Sequence, residues 1–174
     1  MRKLPNKQLT HSAHTQSGTR FPVCLLMNDI ESPLNVGSLF RISDALGVQE
    51  VYLCGNTPTP PNRKISKTSR STDTFIPYRY SQSAEQVLTE LRANNYTIIA
   101  LEITTTSVDL VSLDYSSFEK ICLIIGSENE GIKPTLLKNA NYSVHIPMLG
   151  NNSSMNVATA CAIAVFEITK QLGK

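Results

Sequence analysis

The sequence predicts a single α/β domain whose sheet is mostly parallel and carries helices on both faces. Apolar strand-like runs alternate along the chain with segments of helical spacing, which is the order of elements in a parallel sheet. The strand-like runs are continuously apolar, as expected for strands that are buried on both faces. With 174 residues, the chain is long enough to bury one core and too short for two ordinary domains.

The strands are predicted where short apolar runs are bounded by turn residues. They are residues 21–28, 51–54, 74–78, 96–103, 120–126 and 144–148. Helices are predicted where apolar residues recur every three or four positions. They are residues 33–46, 84–94, 135–139 and 156–172. Gly47 is a stop for the first helix and Ser83 is a cap for the second. Residues 55–62 ("GNTPTPPN") break regular structure, and residues 63–70 ("RKISKTSR") are predicted as a loop.

Targeting and membrane segments are not predicted. The longest strongly apolar stretch, residues 157–168, is shorter than the roughly 18–20 residues that cross a bilayer, so it is predicted to be a buried helix. Residues 1–20 contain no apolar segment of the kind that a secretory signal needs. We therefore expect a cytoplasmic protein with no membrane partner.

Metal and disulfide chemistry are not predicted either. The four cysteines each lie inside an apolar run and form no CxxC pair, which is typical of buried free thiols. The three histidines show no zinc-type spacing. We expect no metal ion.

The basic residues are concentrated in two stretches. Residues 1–20 and 63–70 together hold eight of the sixteen Lys and Arg residues and no Asp or Glu, whereas the remainder carries all fourteen acidic residues. Such clusters are typical of proteins that contact a phosphate backbone, although a solvated loop and tail would have the same composition. We divide the chain into a basic tail, residues 1–20, and one domain, residues 21–174.

Four polar segments follow predicted strands, and they are expected to meet because ligands bind at the carboxyl ends of parallel strands. They read "NDIESPLN", "LEITT", "GSENEG" and "PMLGNNSSMN". The third is not a phosphate loop, since it contains Glu128 and Glu130 and lacks the Lys-Ser/Thr ending. A glycine-flanked acidic turn suits a neutral or cationic ligand. The same residues are equally expected in a solvated turn with a carboxylate at the start of a helix.

Three of these regions resemble the sequence motifs of the SpoU/TrmH branch of the SPOUT RNA methyltransferases, in order and at the usual spacing. They read "NDIESPLNVGSLFRISDALGVQEVYLCG", "ICLIIGSENEGI" and "VHIPMLGNNSSMNVATACAIAVFE". The resemblance covers about residues 21–172. It implies an α/β knot, in which the C-terminal segment threads through a loop to form a deep trefoil knot, an exception to the rule that chains do not thread.

The resemblance also implies an enzyme that transfers a methyl group from S-adenosylmethionine to a ribose 2′-hydroxyl of tRNA or rRNA. The residues that match the catalytic positions are Asn35, Arg41, Glu128, Ser154 and Asn156. Those that match cofactor-lining positions, largely through backbone groups, are Leu101, Glu102, Gly126, Ile146, Met148, Leu149 and Met155. The basic loop that is expected to approach RNA contributes Arg63, Lys64, Lys67 and Arg70.

Arg41 is expected to clamp a phosphate and to stabilise charge on the attacking oxygen, because a guanidinium with a pKa above about 12 is a poor base at neutral pH. Base action by Arg41 is the alternative. The last predicted helix is rich in alanine and apolar on nearly all sides, and members of the family that the chain resembles dimerise through this region. Both observations predict a homodimer, whose second subunit could complete the RNA site. Two other functions stay open, an inactive knotted RNA-binding protein and a flavodoxin-like nucleotide binder.

Overall fold

The computed structural model describes residues 7–8, 10, 13, 15 and 18–173 of the chain, so most of the predicted basic tail, including Arg2 and Lys3, lies outside the described residues. The domain is built on one sheet of seven strands in this part of the chain, in the order β3-β2-β1-β6-β4-β7-β5. All strand pairs are parallel, as predicted. The strands are β1 (Phe21–Asn28), β2 (Val48–Cys54), β3 (Tyr78–Ser81), β4 (Tyr96–Leu101), β5 (Val108–Asp109), β6 (Lys120–Ile125) and β7 (Tyr142–His145).

Five α-helices in the described residues cover the two faces of this sheet. They are α1 (Pro33–Ala45), α2 (Arg63–Ser69), α3 (Ala84–Ala93), α4 (Pro134–Leu137) and α5 (Val157–Leu172). Buried residues of α1, α2 and α5 share one apolar core with one side of the central strands. Buried residues of α3 and α4 share a second core with the other side. The central strands β1 and β6 are therefore apolar on both sides. None of the helices within the described ranges has the length and apolar character of a membrane span.

The strand order brings the polar loops together. Strands β1, β6, β4 and β7 are neighbours, and parallel strands end at the same edge of the sheet. The loops that follow these four strands are the four polar segments singled out in the sequence. They meet at one edge although residues 29 and 156 are far apart along the chain.

The segment 63–70 was predicted to be a loop, and this is wrong, because residues Arg63–Ser69 form helix α2. The side chain of Asn62 caps the helix by accepting hydrogen bonds from the backbone N–H groups of Lys64 at 2.9 Å and Ile65 at 3.4 Å. Ile65 is fully buried against the core. One buried residue per turn is too weak a periodic signal to predict a helix of two turns.

The turn after α2 is held by polar contacts and not by glycine. Arg70 and Ser71 adopt left-handed conformations with φ of 55° and 73°, which is uncommon for non-glycine residues. The carboxylate of Asp73, which is buried, accepts hydrogen bonds from the hydroxyls of Ser66 and Ser69. These contacts hold the turn in place without a glycine.

Two strands lie at other positions than predicted. The third strand is Tyr78–Ser81 and not residues 74–78, because Thr72–Thr74 form a 3₁₀ turn. The last strand is Tyr142–His145 and not residues 144–148. Pro147 has no N–H to donate to a neighbouring strand, and it biases the residue before it, so pairing ends before this position.

Helices α1 and α2 pack closely at Gly37. A Cβ atom at this position would lie 2.1 Å from Thr68 Oγ1 and 2.3 Å from the carbonyl oxygen of Ile65. We expect Gly37→Ala to destabilise the protein by about 1–3 kcal/mol, because a backbone carbonyl cannot move aside without shifting α2. Chemical denaturation measures this loss. Ser38→Ala, on the same helix, is the control, and equal stabilities of the two variants would contradict the prediction.

Candidate functional site

A cavity of about 1210 Å³ lies at the carboxyl edge of the sheet. Its walls are the loops that follow β4, β6 and β7, together with the first turns of α5. Three glutamates, Glu102, Glu128 and Glu130, are part of the lining, and no lysine or arginine is among the described residues that form it. The cavity therefore suits a ligand that is neutral or positively charged.

Glu128 joins the loop after β6 to the loop after β1. Its carboxylate accepts hydrogen bonds from the backbone N–H groups of Glu31 at 2.9 Å and Ser32 at 3.3 Å, and from the side-chain amide of Asn35 at 2.7 Å. Burial by itself raises the pKa of Glu128, but these hydrogen bonds outweigh burial, so the pKa lies below its usual value. The carboxylate is therefore charged at neutral pH.

Asn35 extends this connection to the third motif. Its side-chain oxygen accepts a hydrogen bond from the amide of Asn156 at 3.2 Å. The oxygen of Asn156 in turn caps α5, accepting from the N–H groups of Ala158 at 3.0 Å and Thr159 at 3.2 Å. Because both groups of the Asn156 amide are engaged, its orientation is fixed. The three motifs that the sequence separates thus form one hydrogen-bonded unit, Glu128–Asn35–Asn156.

Glu102 fixes the opposite wall of the cavity. Its carboxylate accepts hydrogen bonds from the backbone N–H groups of Ile103 and Ile132, both at 3.0 Å. The turn after β6 is closed by two backbone hydrogen bonds between Ser127 and Gly131, at 3.0 and 3.1 Å. Glu102 therefore acts in the structure mainly as a support for the loop after β6.

Most of the predicted cofactor residues surround the cavity. Those that line it are Leu101, Glu102, Gly126, Ile146, Met148 and Met155. Leu149 is 97% exposed and is not part of the lining. Of the predicted catalytic residues, Glu128, Ser154 and Asn156 line the cavity, and Asn35 reaches it through Glu128 and Asn156. The chemical roles of these residues stay predictions.

Arg41 lies elsewhere, in a second cleft of about 470 Å³ between α1 and α2. Lys67 and Arg70 line the same cleft. Asn35 and Arg41 are six residues apart on α1, which places them about 120° apart around the helix axis and about 9 Å apart along it. The structure of this chain therefore groups Arg41 with two of the predicted RNA-binding residues, Lys67 and Arg70, and not with the cavity. Arg63 and Lys64 are exposed on the same helix as Lys67.

Residues that the motifs did not single out also support the site. Asp29 follows β1 directly and forms an ion pair with Lys133, with 2.6 Å between Nζ and Oδ2. Its other oxygen accepts from the N–H of Asn56 at 2.9 Å. Glu31 accepts a hydrogen bond from the amide of Asn129 at 2.9 Å. Asp29 and Glu31 come directly after a predicted strand, and this position was the signal that the sequence offered. Their partners lie in other loops, so the sequence alone could not identify them.

Replacement of Asp29 by asparagine is expected to lower the free energy of unfolding by about 1 kcal/mol at pH 7, because the ion pair with Lys133 is lost. Burial by itself raises the pKa of Asp29, but the N–H of Asn56 and the Lys133 ammonium outweigh it, so the pKa is lowered in the folded protein. Asp29 therefore stabilises the fold above its unfolded pKa of about 3.9, and this contribution is lost as the pH falls through the lower folded value.

Urea denaturation at several pH values checks this. The stability difference between Asp29→Asn and wild type should shrink below about pH 4. Lys133→Gln should cost a similar amount, and the double variant little more. A difference that stays constant down to pH 2 would contradict the assignment.

The described residues give no sign of metal or thiol chemistry at this site. They contain no group of three or more His, Cys, Asp or Glu side chains that could hold a metal ion. The four cysteines are free and buried, as predicted. Burial raises the pKa of the Cys161 thiol to about 12, so this thiol is protonated at neutral pH.

Comparison with known proteins identifies the family. Residues 22–166 match the SpoU rRNA Methylase family. The chain is 26% identical over 145 residues to the tRNA (guanosine(18)-2'-O)-methyltransferase of Escherichia coli (strain K12), an alignment that covers 83% of this chain and 62% of that protein. The chain thus spans less than two thirds of the length of this curated relative.

Solved structures with bound S-adenosylmethionine (AdoMet) share the fold. The AdoMet-bound rRNA methyltransferase from Sinorhizobium meliloti superposes with a TM-score of 0.81 and 27% identity, covering 92% of this chain and 59% of that one. The SpoU methyltransferase AviRb from Streptomyces viridochromogenes, in complex with AdoMet, gives a TM-score of 0.78 and 25% identity, with coverages of 85% and 59%.

The family that the motifs predicted is confirmed, and two solved proteins that share its fold bind AdoMet. The matched region contains all three motifs and the whole hydrogen-bonded unit Glu128–Asn35–Asn156. The chain belongs to the SpoU rRNA methylase family.

Proposed function

We propose that this protein transfers a methyl group from S-adenosylmethionine to a ribose 2′-hydroxyl of a structured tRNA or rRNA. The observation that carries the proposal is the unit Glu128–Asn35–Asn156, which joins three separate loops beside a large cavity at the carboxyl edge of the sheet. Relatives named as tRNA and rRNA methyltransferases support it.

The cavity fits the cofactor in size and charge. When bound there, S-adenosylmethionine supplies an electrophilic methyl group on a positively charged sulfonium. Glu102 and Glu128 place negative charge in the lining, and Gly126 lets the backbone of Gly131 and Ile132 pack closely against the end of β6. Ile146, Met148 and Met155 supply apolar surface. These residues would bind and orient the cofactor and exclude water, which is how positioning accelerates a displacement.

The side chains around the second cleft suit the RNA phosphate. Arg41, Lys67 and Arg70 lie together there, and none of them forms an ion pair in the described part of the chain. Three unpaired cations repel one another, so a phosphodiester that approaches them is bound favourably. We assign Arg41 the role of a phosphate clamp, with base action as the alternative.

A pH–rate profile of Arg41→Lys separates these roles. A clamp predicts slower transfer with the same pH dependence, because lysine keeps the charge and loses the bidentate geometry. A base predicts a shifted profile. Full activity with an unchanged profile would exclude both roles.

We propose further that the protein is a homodimer whose second subunit completes the RNA site. Helix α5 exposes 41% of Ile163 and 57% of Phe166, which lie on one side of the helix because they are three residues apart. Arg41 does not line the cavity of its own subunit. A second copy packed on α5 would cover this apolar surface and could bring its own cations to the cavity.

Phe166→Glu is expected to produce monomers, because it buries a carboxylate at the proposed interface. Sedimentation velocity at micromolar concentration measures this, together with methyl transfer, which should fall with the dimer. Phe75→Glu is the matched control, since Phe75 is 67% exposed and follows a turn that packs against α1 and α2. A wild-type monomer with full activity would overturn the dimer proposal.

We also propose that the chain is knotted. Strand β7 is inserted between β4 and β5, both of which precede it in the chain. Helix α5 then packs against the segment that connects β5 to β6, where Gln171 Oε1 accepts a hydrogen bond from the N–H of Tyr115 at 3.0 Å. Single-molecule stretching tests this, since a knotted chain stops short of the about 3.3–3.6 Å per residue of an extended one.

Two assays test the enzymatic proposal as a whole. The first is methyl transfer from labelled S-adenosylmethionine to bulk tRNA and rRNA, with mapping of ribose methylation. The second is calorimetry with S-adenosylmethionine and with FMN. Cofactor binding without transfer would indicate an RNA-binding protein without catalysis, and FMN binding alone would indicate a flavodoxin-like nucleotide binder.

A further inference from the structure

A third cleft, of about 460 Å³, lies between the loop that follows β2 and the edge strand β3. Residues 55–60 form one side of it, and Tyr78 and Tyr80 form the other. We call it the tyrosine cleft. It shares no lining residue with the large cavity or with the cleft around Arg41. The residues proposed above to bind the cofactor and the phosphate leave it unused.

The two tyrosines present ring surface to this cleft. They lie two residues apart on an edge strand and so point to the same side. Tyr80 is 51% exposed, and its hydroxyl lies 3.0 Å from the carbonyl oxygen of Gly55 and 2.7 Å from Gln82 Oε1, either of which accepts its proton. The ring of Tyr78 packs edge-on against Phe40, with 5.7 Å between centroids. Both rings are therefore held in place before any ligand binds.

Positive charge lies next to the tyrosine cleft. Arg63 and Lys64 begin helix α2, three and four residues after Pro60, and both are exposed. Neither forms an ion pair within the residues that the structure describes. Aromatic rings beside unpaired cations are the combination that binds single-stranded nucleic acid, because bases stack on the rings while cations contact the phosphates.

The tyrosine cleft also lies at the correct edge of the sheet. Strands β2 and β3 end on the same side as β6 and β4, whose loops form the large cavity. Strand β3, which carries the two tyrosines, is separated from β6 by β2 and β1, so β3 and β6 are about 14 Å apart at a strand spacing of about 4.8 Å. An RNA strand whose target ribose lies at the cavity can therefore place a nearby nucleotide in this cleft.

We propose that the tyrosine cleft binds an unpaired base of the RNA substrate by stacking on Tyr80, beside phosphate contacts made by α2. This inference rests on the proposed function, since it takes RNA as the substrate. Beyond that function, the inference identifies the tyrosine cleft as the place where a base close to the target nucleotide is recognised. It also requires that base to be unpaired, because a base in an A-form helix cannot reach a ring.

Fluorescence anisotropy with labelled oligoadenylate of twelve nucleotides tests the proposal on the full chain. Tyr80→Ala is expected to weaken binding about tenfold, whereas Tyr80→Phe, which keeps the ring, should bind within about twofold of wild type. The slope of log Kd against log salt should not change in Tyr80→Ala, because no phosphate contact is lost. Lys64→Ala should instead reduce this slope by about one.

Phe75→Ala is the matched control, since Phe75 is 67% exposed but does not line the tyrosine cleft. It should bind oligoadenylate as wild type does. The inference is overturned if Tyr80→Ala binds like wild type, if Phe75→Ala weakens binding as much, or if wild type does not bind oligoadenylate. If the cleft instead binds a proline-rich peptide or a second copy of the chain, Tyr80→Ala will bind oligoadenylate as wild type does.

Methyl transfer to bulk RNA separates this inference from the proposed function. If wild type transfers methyl groups but oligoadenylate binding does not depend on Tyr80, the tyrosine cleft alone is excluded. If wild type transfers none while binding depends on Tyr80, the enzymatic proposal alone fails. With both correct, Tyr80→Ala should raise KM for RNA about tenfold and leave the affinity for S-adenosylmethionine unchanged.

Discussion

Glu128→Gln is expected to reduce the rate of methyl transfer by about a hundredfold while the protein stays folded. A glutamine side chain has one accepting oxygen and one NH₂ donor, so it cannot accept from Glu31 at one position and from Ser32 and Asn35 at the other. One side of this hydrogen-bonded set is then lost, and the orientation of the Asn35 amide toward Asn156 is no longer fixed. Steady-state kinetics with saturating RNA and S-adenosylmethionine measures the loss in kcat, because the effect is on positioning.

Glu119→Gln is the matched control for this substitution. Glu119 is exposed at the other end of the same strand, next to Lys120, and should tolerate the change with normal kcat. Normal kcat in Glu128→Gln would show that the unit Glu128–Asn35–Asn156 is not part of catalysis.

The hydrogen bonds to Glu128 also make the stability of the protein depend on pH. The pKa of Glu128 is lowered in the folded protein, so its contribution to the free energy of unfolding is present above the unfolded pKa. This contribution is lost as the pH falls through the folded pKa.

Gly126→Ala is expected to weaken the affinity for S-adenosylmethionine by more than about tenfold. A Cβ atom at this position would lie 2.3 Å from the carbonyl group of Gly131 and 2.4 Å from the backbone nitrogen of Ile132. These are backbone atoms, which cannot rotate away, so the turn after β6 must open. Opening it breaks the contact between Ile132 and Glu102, and both sides of the turn line the cavity.

Calorimetry of cofactor binding checks this prediction on protein with a native circular dichroism spectrum. Gly173→Ala adds the same methyl group where the nearest atom is 3.3 Å away, and it should bind the cofactor as wild type does. Unchanged affinity in Gly126→Ala would mean that the turn after β6 does not shape the cofactor site.

Much of the fold could be predicted because buried parallel strands have a strong local signal. Strand β1 was predicted with its observed bounds, and α1, α3 and α5 to within one residue at each end. The errors fall where the local signal is weak or competes with packing. Helix α2 has one buried apolar residue, Ile65, and the start of β3 is set by the buried Asp73 turn that precedes it.

The site was predicted in parts. The motifs identified Glu128, Asn35 and Asn156 one at a time, and the structure joins them. Asn35 and Arg41 both match catalytic positions and both lie on α1, where six residues at about 100° per residue direct them to different sides of the helix. The ion pair of Asp29 with Lys133 could not be predicted, since the two residues lie in different loops and no role was assigned to either one.

The sequence by itself determined the α/β class and the parallel sheet, because both depend on local composition and spacing, and its resemblance to known motifs indicated the family and the candidate site residues. Only the tertiary structure decided which side chains meet. The hydrogen bonds from Asn35 to Glu128 and from Asn156 to Asn35 join residues 93 and 121 positions apart. Such contacts depend on the strand order, which places β6 beside β1 and β7 beside β4. No local pattern encodes that order, because it is set by how all the strands and helices together bury their apolar surface.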